Sequence, residues 1–453
     1  MSLKDRLGRL TGDAAGSPVT DLKQDRISDL RGKISEVMSR RERMGAPCVP
    51  QVKNRAVSLE SVVTGEEAKT PQGGFFFSRS RLNPADFHGH TRVSDLVRPS
   101  MEAVAFLAGA DGLKGLNIED GLFLDTETTG LAGGTGTFPF LIGLGWFEAG
   151  CFITHQLFAR DFSEEPAMLA CLCELASRKR FLVTFNGKAY DLNLLATRFI
   201  LNRSRDQLCG MPQVDLLHPS RRIYSHRLEN VRLVTLEASV LGVRRGQDVP
   251  GHEIPQRYFD WLRRRDGRLM EDVFRHNRLD IISMASLLKQ LTDLVAGRHD
   301  ISYAHHGDLL SVARLHHDRG DLAAAGRILE PLTRSNQPGV ARSARKSLSL
   351  IRKKTSQWQD AVSLWQEMIA LDPYDVFAGE ELAKWYEHHV REFSHAAEIV
   401  AGILEAKKLD APDRLILEHR LRRLLHKRDS CRNSITGVNG RLKTFPDGFQ
   451  MKH

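Results

Sequence analysis

The stretch GLFLDTETTGLAGGTGTFPFLIGLGWF, residues 121–147, places a glycine-rich run between two apolar segments. A phosphate-binding loop requires a strand, a glycine loop and then a helix whose N-terminus faces the anion. Here the run is followed by FPFLIGLGWF, which is rich in β-forming residues, and neither GK[ST] nor the G-x-G-x-x-G spacing is present. The glycine run therefore predicts a connection between two strands, and Asp125 and Glu127 become the candidates for chemistry.

The neighbouring segments alternate between strand and helix patterns. GLFLDTET (121–128), FPFLIGLGWF (138–147) and CFITHQLFA (151–159) are apolar and aromatic, as strands are. A capped helix (163–179), a short buried strand (181–185) and an amphipathic helix (190–203) follow. Three antiparallel strands extended by further α/β units predict a ribonuclease H-like fold, a mixed sheet with flanking helices, over residues 121–300.

The C-terminal third predicts helical repeats. GDLAAAGRILEPL, SQWQDAVSLWQEM and REFSHAAEIVAGI align without gaps and place Leu322, Trp358 and Phe393 in register, with an alanine three residues after each. The spacings of 36 and 35 residues are close to the 34 of tetratricopeptide repeats. We therefore expect an all-α, tetratricopeptide-like repeat domain over residues 305–427, with a concave surface suited to a protein partner.

Composition predicts flexible ends. Residues 1–75 are charged and interrupted by Gly, Pro and Ser, which predicts a flexible arm with one helical stretch near Asp25–Arg43. Residues 76–120 predict an accessory strand and loops, and the polar residues 428–453 predict a flexible tail. His88 and His90 of the accessory segment are either metal ligands or, more in keeping with their surroundings, surface or packing histidines.

The whole-chain properties narrow the class of protein. A formal charge of +9 and a pI near 9.3 favour an anionic partner, with nucleic acid as the first candidate. The sequence has no run of about 18 apolar residues, so no membrane span is predicted. The N-terminus lacks an apolar signal core. Six scattered cysteines suit a reducing compartment, so we expect a cytoplasmic protein.

Acidic residues recur where the predicted strands and helices would bring them together. Asp125 and Glu127 are two apart on a strand and therefore point to the same face. Asp191 lies in the first turn of a helix after a strand, and Asp280 lies four residues after His276 on a later helix. Mg²⁺ and similar ions prefer several carboxylate oxygens, and two such ions can promote phosphodiester hydrolysis.

These motifs carry a family resemblance. DxE after a strand, then N-x-x-x-[YF]-D, then a histidine or tyrosine before a final Asp, resembles the DEDD (DnaQ-like) 3′–5′ exonuclease superfamily. NGKAYDLNLL, VDLLHPSRRIY, LEASVLGVRRGQDVPGHEIPQRYFDWL and HNRLDIISM look like the YprB-type ribonuclease H-like family, which also carries tetratricopeptide-like helices. The resemblance implies two Mg²⁺ or Mn²⁺ ions held by four carboxylates: Asp125, Glu127, Asp191 and Asp280.

The resemblance leaves the role of His276 open. The tyrosine subclass has Y-x-x-x-D, and His276 takes the tyrosine position, whereas the H-x-x-x-x-D position of the histidine subclass is Arg275 here. His276 is therefore either the catalytic base or a residue that holds a water.

Further residues are candidates for substrate contact, namely Thr128, Asn186, Arg221 and Arg222. Asn186 can bond a terminal nucleotide or simply form a turn before Gly187. The basic clusters 221–227, 243–245 and 262–268 either grip phosphates or form solvated faces.

The sequence thus predicts a metal-dependent nuclease, a 3′–5′ exonuclease that acts on single-stranded DNA or RNA. Two alternatives remain open. One is a non-catalytic nucleic-acid-binding ribonuclease H-like module, and the other is a scaffold that acts mainly through its helical repeats.

Overall fold

A computed structural model describes residues 56–130, 136–246, 248–298, 304–405, 409 and 411–439. The predicted helical stretch near Asp25–Arg43 and most of the glycine run lie outside the described residues. The strands of the described part, in chain order, are β1 (Glu66–Thr70), β2 (Gly73–Leu82), β3 (Phe87–His88), β4 (Thr91–Arg92), β5 (Gly121–Thr128), β6 (Pro139–Glu148), β7 (Cys151–Phe158), β8 (Phe181–Thr184) and β9 (Gln213–Asp215).

Seven of these strands form one sheet, in the order β1-β2-β7-β6-β5-β8-β9, and β3 pairs with β4 apart from it. Neighbours from β1 to β5 are antiparallel, whereas β5–β8 and β8–β9 are parallel. The predicted meander of β5, β6 and β7 and its extension by α/β units are confirmed. This mixed sheet is a ribonuclease H-like fold.

The helices of the α/β part are α1 (Val93–Leu96), α2 (Met101–Ala108), α3 (Glu165–Ala176), α4 (Asp191–Leu201), α5 (Leu217–Tyr224), α6 (Leu233–Leu236), α7 (Ile254–Arg264) and α8 (Arg268–Ala296). The sheet is covered on both faces, because neighbouring residues of one strand enter different hydrophobic clusters. Phe123 packs in the cluster that contains Ile281 of α8, whereas Leu122 and Leu124 pack in the cluster that contains Met168 of α3. The long helix α8 packs across β5, β6 and β7.

The remaining helices are α9 (His306–Asp318), α10 (Leu322–Leu332), α11 (Pro338–Lys354), α12 (Trp358–Leu371), α13 (Val376–Trp385), α14 (Phe393–Leu404) and α15 (Ala411–Asn439). The predicted register is visible in the structure, because Leu322, Trp358 and Phe393 each begin a helix. The three aligned alanines of these helices are fully buried: Ala325, Ala361 and Ala396. The C-terminal region is therefore helical, as predicted.

The predicted helical region is not independent at its start. Leu309 of α9 and Leu329 of α10 belong to the same buried cluster as Ile281 of α8. The later helices have clusters of their own, around Trp365 and around Val400. The first repeat helices therefore complete the core of the α/β part.

Two predicted boundaries are wrong. The flexible arm was placed at 1–75, yet β1 and the first residues of β2 lie in that range and join the sheet, because Phe75 is fully buried there. The flexible tail was placed at 428–453, yet α15 continues to Asn439. Residues 428–439 contain one glycine and no proline, so their sequence does not stop the helix.

Candidate active site

The strand β5 carries the first two acidic residues. Asp125 and Glu127 lie two residues apart and share one face. Asp125 is opposite Gly143 of β6, and Asn277 Nδ2 on α8 donates to Asp125 Oδ2 at 2.9 Å. Both carboxylates are therefore on the side of the sheet that α8 covers.

Two glycines of β6 allow α8 to approach closely. A Cβ on Gly143 would lie 2.3 Å from Asn277 Oδ1, and a Cβ on Gly145 would lie 2.5 Å from Ile281 Cγ2. Gln156 Nε2 also donates to Asn277 Oδ1, at 2.9 Å, so the amide cannot easily move aside. The glycines of the LIGLGWF segment thus bring the helix that carries the later motif down onto β5.

The third acidic residue begins α4. Asp191 follows the turn after β8, and Thr126 Oγ1 donates to Asp191 Oδ1 at 2.5 Å. The turn requires a left-handed backbone at Asn186, with φ of +67°, which asparagine tolerates. The buried Asp215 accepts from the backbone N–H groups of Asn186 and Lys188, at 2.8 and 3.2 Å. Asn186 is therefore a turn residue, and its contact with a nucleotide stays a prediction.

The helix α8 contributes the last two residues. His276 and Asp280 are one turn apart, and His276 Nε2 lies 3.5 Å from Asp280 Oδ2. One ligand atom from each of Glu127, His276 and Asp280 lies within 4.8 Å of the others. The structure therefore brings together the side chains that the sequence motifs predict.

The clustered carboxyls destabilise one another's charged forms. Burial, and then repulsion from Asp280 and Asp191, raises the pKa of Asp125 well above its ordinary value. Burial and repulsion from Asp125 do the same to the pKa of Glu127. Burial raises the pKa of Asp191 to about 6, although hydrogen bonds from Thr126 oppose the rise. A cluster of carboxylate oxygens whose negative charge the protein does not fully neutralise suits hard divalent cations such as Mg²⁺ or Mn²⁺.

A buried guanidinium contacts the same group of residues. The side chain of Arg245 is 4% exposed, and its Nε and Nη2 each donate to the buried Glu237 at 2.6 Å. Nη1 donates to Asp248 Oδ2 at 3.0 Å, and Nη2 also pairs with Asp280 Oδ1. Arg245 therefore neutralises part of the acidic cluster, and it is not available to grip phosphates as the 243–245 cluster allowed.

A hydrogen bond to Asp248 orients His276. Nδ1 of His276 lies 2.9 Å from Asp248 Oδ1. Burial opposes ionisation of Asp248, but hydrogen bonds from His276 and Arg245 hold its pKa below the ordinary value. When Nδ1 donates to the ionised Asp248, Nε2 of the neutral ring is an acceptor; the donor Arg245 Nη1 also lies 3.2 Å from Nδ1. That acceptor is the atom that faces Asp280.

A cleft of about 580 Å³ reaches the carboxylates. Asp125, Glu127 and Asp191 line it, as do the predicted substrate residues Thr128 and Asn186, together with Tyr190, whose side chain is 53% exposed. His276 and Asp280 are not among the lining residues. The cleft thus exposes three of the four carboxylates to a substrate.

The predicted substrate arginines lie elsewhere. Arg222 Nη2 donates to Asp318 Oδ2 of α9 at 2.6 Å, and the exposed Arg221 precedes it on α5. Neither lines the cleft. Arg221 and Arg222 lie away from the carboxylates because α5 packs against α9 of the helical region, and their contact with substrate stays a prediction. Arg227 of the same cluster is bound by Asp308 of α9.

Of the two histidines of the accessory segment, His88 is buried and His90 is exposed. His88 is buried, its Nε2 lies 2.8 Å from Ser283 Oγ, and burial lowers its pKa to about 4. The ring of His90 lies against Gly242, where a Cβ would be 1.9 Å from Nε2. These contacts agree with the packing interpretation.

Sequence reasoning missed three residues of the site, namely Arg245, Asp248 and Asn277. Asn277 had a detectable signal, because it lies between Phe274 and Ile281 on the buried side of an otherwise apolar helix face. A buried amide requires partners. Arg245 and Asp248 gave no such signal, because their segment has neither helical nor strand periodicity.

Among the described residues, no helix is both long and apolar enough to cross a bilayer.

Comparison with known proteins agrees with the fold. Residues 122–292 match the family model described as RNase_H superfamily. The chain is 32% identical over 328 residues to the "Uncharacterized protein YprB" of Bacillus subtilis (strain 168), which covers 70% of this chain and 77% of that protein. The chain therefore belongs to the YprB-type family of the RNase H superfamily.

Proposed function

We propose that the chain is a 3′–5′ exonuclease of the DEDD type, which degrades single-stranded nucleic acid with two Mg²⁺ or Mn²⁺ ions. Membership of the RNase H superfamily indicates a nuclease-type activity. The observation that carries the finer proposal is the convergence of Asp125, Glu127, Asp191 and Asp280 near His276, beside an open cleft. A cytoplasmic location stays a prediction.

Each residue of the site has a role that follows from its chemistry. Asp125, Glu127, Asp191 and Asp280 would hold the cations, which when bound lower the pKa of a water and neutralise charge on the phosphate. Nε2 of His276 would accept the proton of the attacking water, since Nδ1 is occupied by its bond to Asp248. One carboxylate oxygen of Asp280 faces Arg245 and the other faces His276.

The cleft also suggests how a terminal nucleotide would bind. The exposed ring of Tyr190 can stack on an unpaired base, and the Thr128 hydroxyl and the Asn186 amide can bond its polar groups. A single strand reaches such a cleft more readily than a duplex, whose bases are paired and stacked. The proposal therefore favours unpaired substrate.

The test is degradation of single- and double-stranded DNA and RNA with Mg²⁺, Mn²⁺ or EDTA. Oligonucleotides labelled at the 5′ end should give a descending ladder, whereas a 3′ label should be released as a mononucleotide. Circular single strands, which have no end, should remain intact. Cleavage of the circle would replace the exonuclease assignment with an endonuclease, and no metal-dependent degradation of any substrate would refute the nuclease.

A second candidate is a nucleic-acid-binding module without catalysis. Two observations favour it: Arg245 already pairs with Asp280, and His276 does not line the cleft. This candidate predicts binding of single strands with no turnover in either metal. The scaffold alternative places function in the helical region. A pull-down that compares the full chain with a variant in which the cleft residues are replaced would test it, because a scaffold should capture the same proteins with both.

The predicted tetratricopeptide-like character of the repeats, and a protein partner for them, remain parts of this proposal. The register of Leu322, Trp358 and Phe393 at helix starts supports the former.

A further inference from the structure

A second cavity, of about 300 Å³, lies in the helical region between α12, α13 and α15. Its wall contains Trp358, Trp365 and Trp385, which are three of the five tryptophans of the chain. The rings of Trp358 and Trp385 stack with centroids 5.4 Å apart, and the exposed His389 stacks on Trp385 at 4.5 Å. A concentration of aromatic rings at a partly open cavity provides flat surfaces on which a planar ligand can stack.

Two hydrogen-bond donors at this cavity have no partner within the part of the chain that the structure describes. They are Nε1 of Trp365, whose residue is 1% exposed, and Nε of Arg420. Both residues line the cavity. Neither group can accept a hydrogen bond, and a buried donor without a partner is costly. A ligand with acceptor oxygens or nitrogens would satisfy these donors where they reach the cavity.

The charge around the cavity is positive. Five cationic side chains pair with only three carboxylates, which leaves two positive charges in excess; the cations are Lys353, Lys384, Arg420, Arg423 and Lys427, and the carboxylates are Glu380, Glu381 and Glu387. Glu381 and Glu387 are buried beneath these cations. The cavity lining thus combines cations and aromatic rings, with Glu381 as the carboxylate among the described lining residues.

We infer that this cavity binds single-stranded nucleic acid, as a site that holds the substrate strand away from the carboxylates. An unpaired base supplies a planar ring and acceptor atoms, and the adjoining phosphates supply the negative charge. Stacked aromatic rings with a basic rim are the usual means of binding a single strand without sequence preference. An acidic protein segment would satisfy the charge but would leave the aromatic wall unused.

The class of ligand rests on the proposed function, but the site does not depend on catalysis. Binding can be measured in EDTA, where cleavage is absent, on the full chain. The ligand is a fluorescein-labelled 20-nucleotide single strand, followed by anisotropy, and quenching of the intrinsic tryptophan fluorescence reports independently on the cavity. Poly-glutamate of similar length serves as the acidic-peptide competitor.

Two matched pairs of variants test the assignment. Trp385→Ala should weaken binding by about 5- to 100-fold, the usual loss for one stacking ring, whereas Trp261→Phe, in the α/β core, should leave it unchanged. Arg423→Ala should weaken binding and reduce its salt dependence, whereas Arg422→Ala, on the exposed neighbouring position, should do neither. Trp365→Phe removes the N–H together with part of the buried indole ring, so it should weaken binding and also lower the thermal midpoint.

Unchanged affinity in folded Trp385→Ala and Arg423→Ala would overturn the inference. Displacement of the oligonucleotide by poly-glutamate at equal charge concentration would also overturn it, in favour of a protein ligand. This binding test of the cavity is distinct from the cleavage test of the carboxylates. Tryptophan-dependent binding without metal-dependent cleavage refutes only the proposed nuclease, and cleavage with no tryptophan-dependent binding refutes only this site.

Discussion

In the metal-free protein, Asp191 should make the folded state progressively less stable as the pH rises from about 4 to about 6. Burial raises its pKa from the ordinary 3.8 to about 6. Between these two values the folded chain keeps a proton that the unfolded chain has lost, so the free energy of unfolding falls as the pH rises. A rise in the pKa of about 2, at about 1.4 kcal/mol per pH unit, lowers the free energy of unfolding by at most about 3 kcal/mol above pH 6.

The perturbation that isolates this contribution is Asp191→Asn, which removes the charge and keeps the shape. Urea unfolding in EDTA should show the variant gaining up to about 3 kcal/mol relative to the wild type between pH 4 and pH 7. Asp161→Asn is the matched control, because hydrogen bonds from Ser163 lower the pKa of that carboxyl and its pH dependence has the opposite sign.

Divalent cations should reverse this loss of stability at higher pH. An ion that binds only the folded state at 100 times its dissociation constant adds about 2.7 kcal/mol. Mn²⁺ should therefore stabilise the wild type strongly at pH 7 and weakly at pH 5, where protons compete for the same oxygens. A wild type and an Asp191→Asn variant with parallel pH profiles, both unaffected by Mn²⁺, would refute the reasoning that the carboxyls form a cation site.

Three further outcomes are expected. Asp125→Asn should retain less than about a tenth of the wild-type turnover, because it loses a cation ligand while Asn277 can still bond the new amide; steady-state cleavage rates measure this. His276→Ala should lower the rate by about 10²–10⁴-fold with metal affinity little changed, and His276→Tyr should recover part of it; equal rates for wild type and alanine variant would remove His276 as the base. Arg245→Met should cost about 3–5 kcal/mol in urea unfolding, since it leaves Glu237 buried without its cation, whereas the exposed Arg244→Met should cost little.

The sequence predicts the α/β fold and the acidic cluster because both depend on local spacing. The two-residue period of a strand places Asp125 beside Glu127, and the helical period places His276 beside Asp280. The order of strands and helices then puts both pairs on one face of β5, an interior strand of the sheet. The structure confirms the order of elements, and it places Glu127, His276 and Asp280 close together.

The remaining features depend on contacts between distant segments. Arg245 reaches Glu237 and Asp280 from an irregular segment, which no periodicity reveals. Arg222 looked like a phosphate ligand because an arginine pair in sequence does not show which helix it will meet, and its partner is Asp318 of α9. The core shared by α8, α9 and α10 was missed for the same reason.

The length of α8 has a consequence for how the two ends of the molecule interact. Its 29 residues form one uninterrupted helix of about 43 Å. His276 and Asp280 lie in its first half, and Val295 near its end accepts a hydrogen bond from His316 of α9. Asp125 and Glu127 thus lie on the sheet, whereas His276 and Asp280 lie on a helix whose C-terminal end contacts the helical region. Because α8 also packs across β5, β6 and β7, a displacement of the helical region would act on the sheet and on His276 and Asp280 through the same helix.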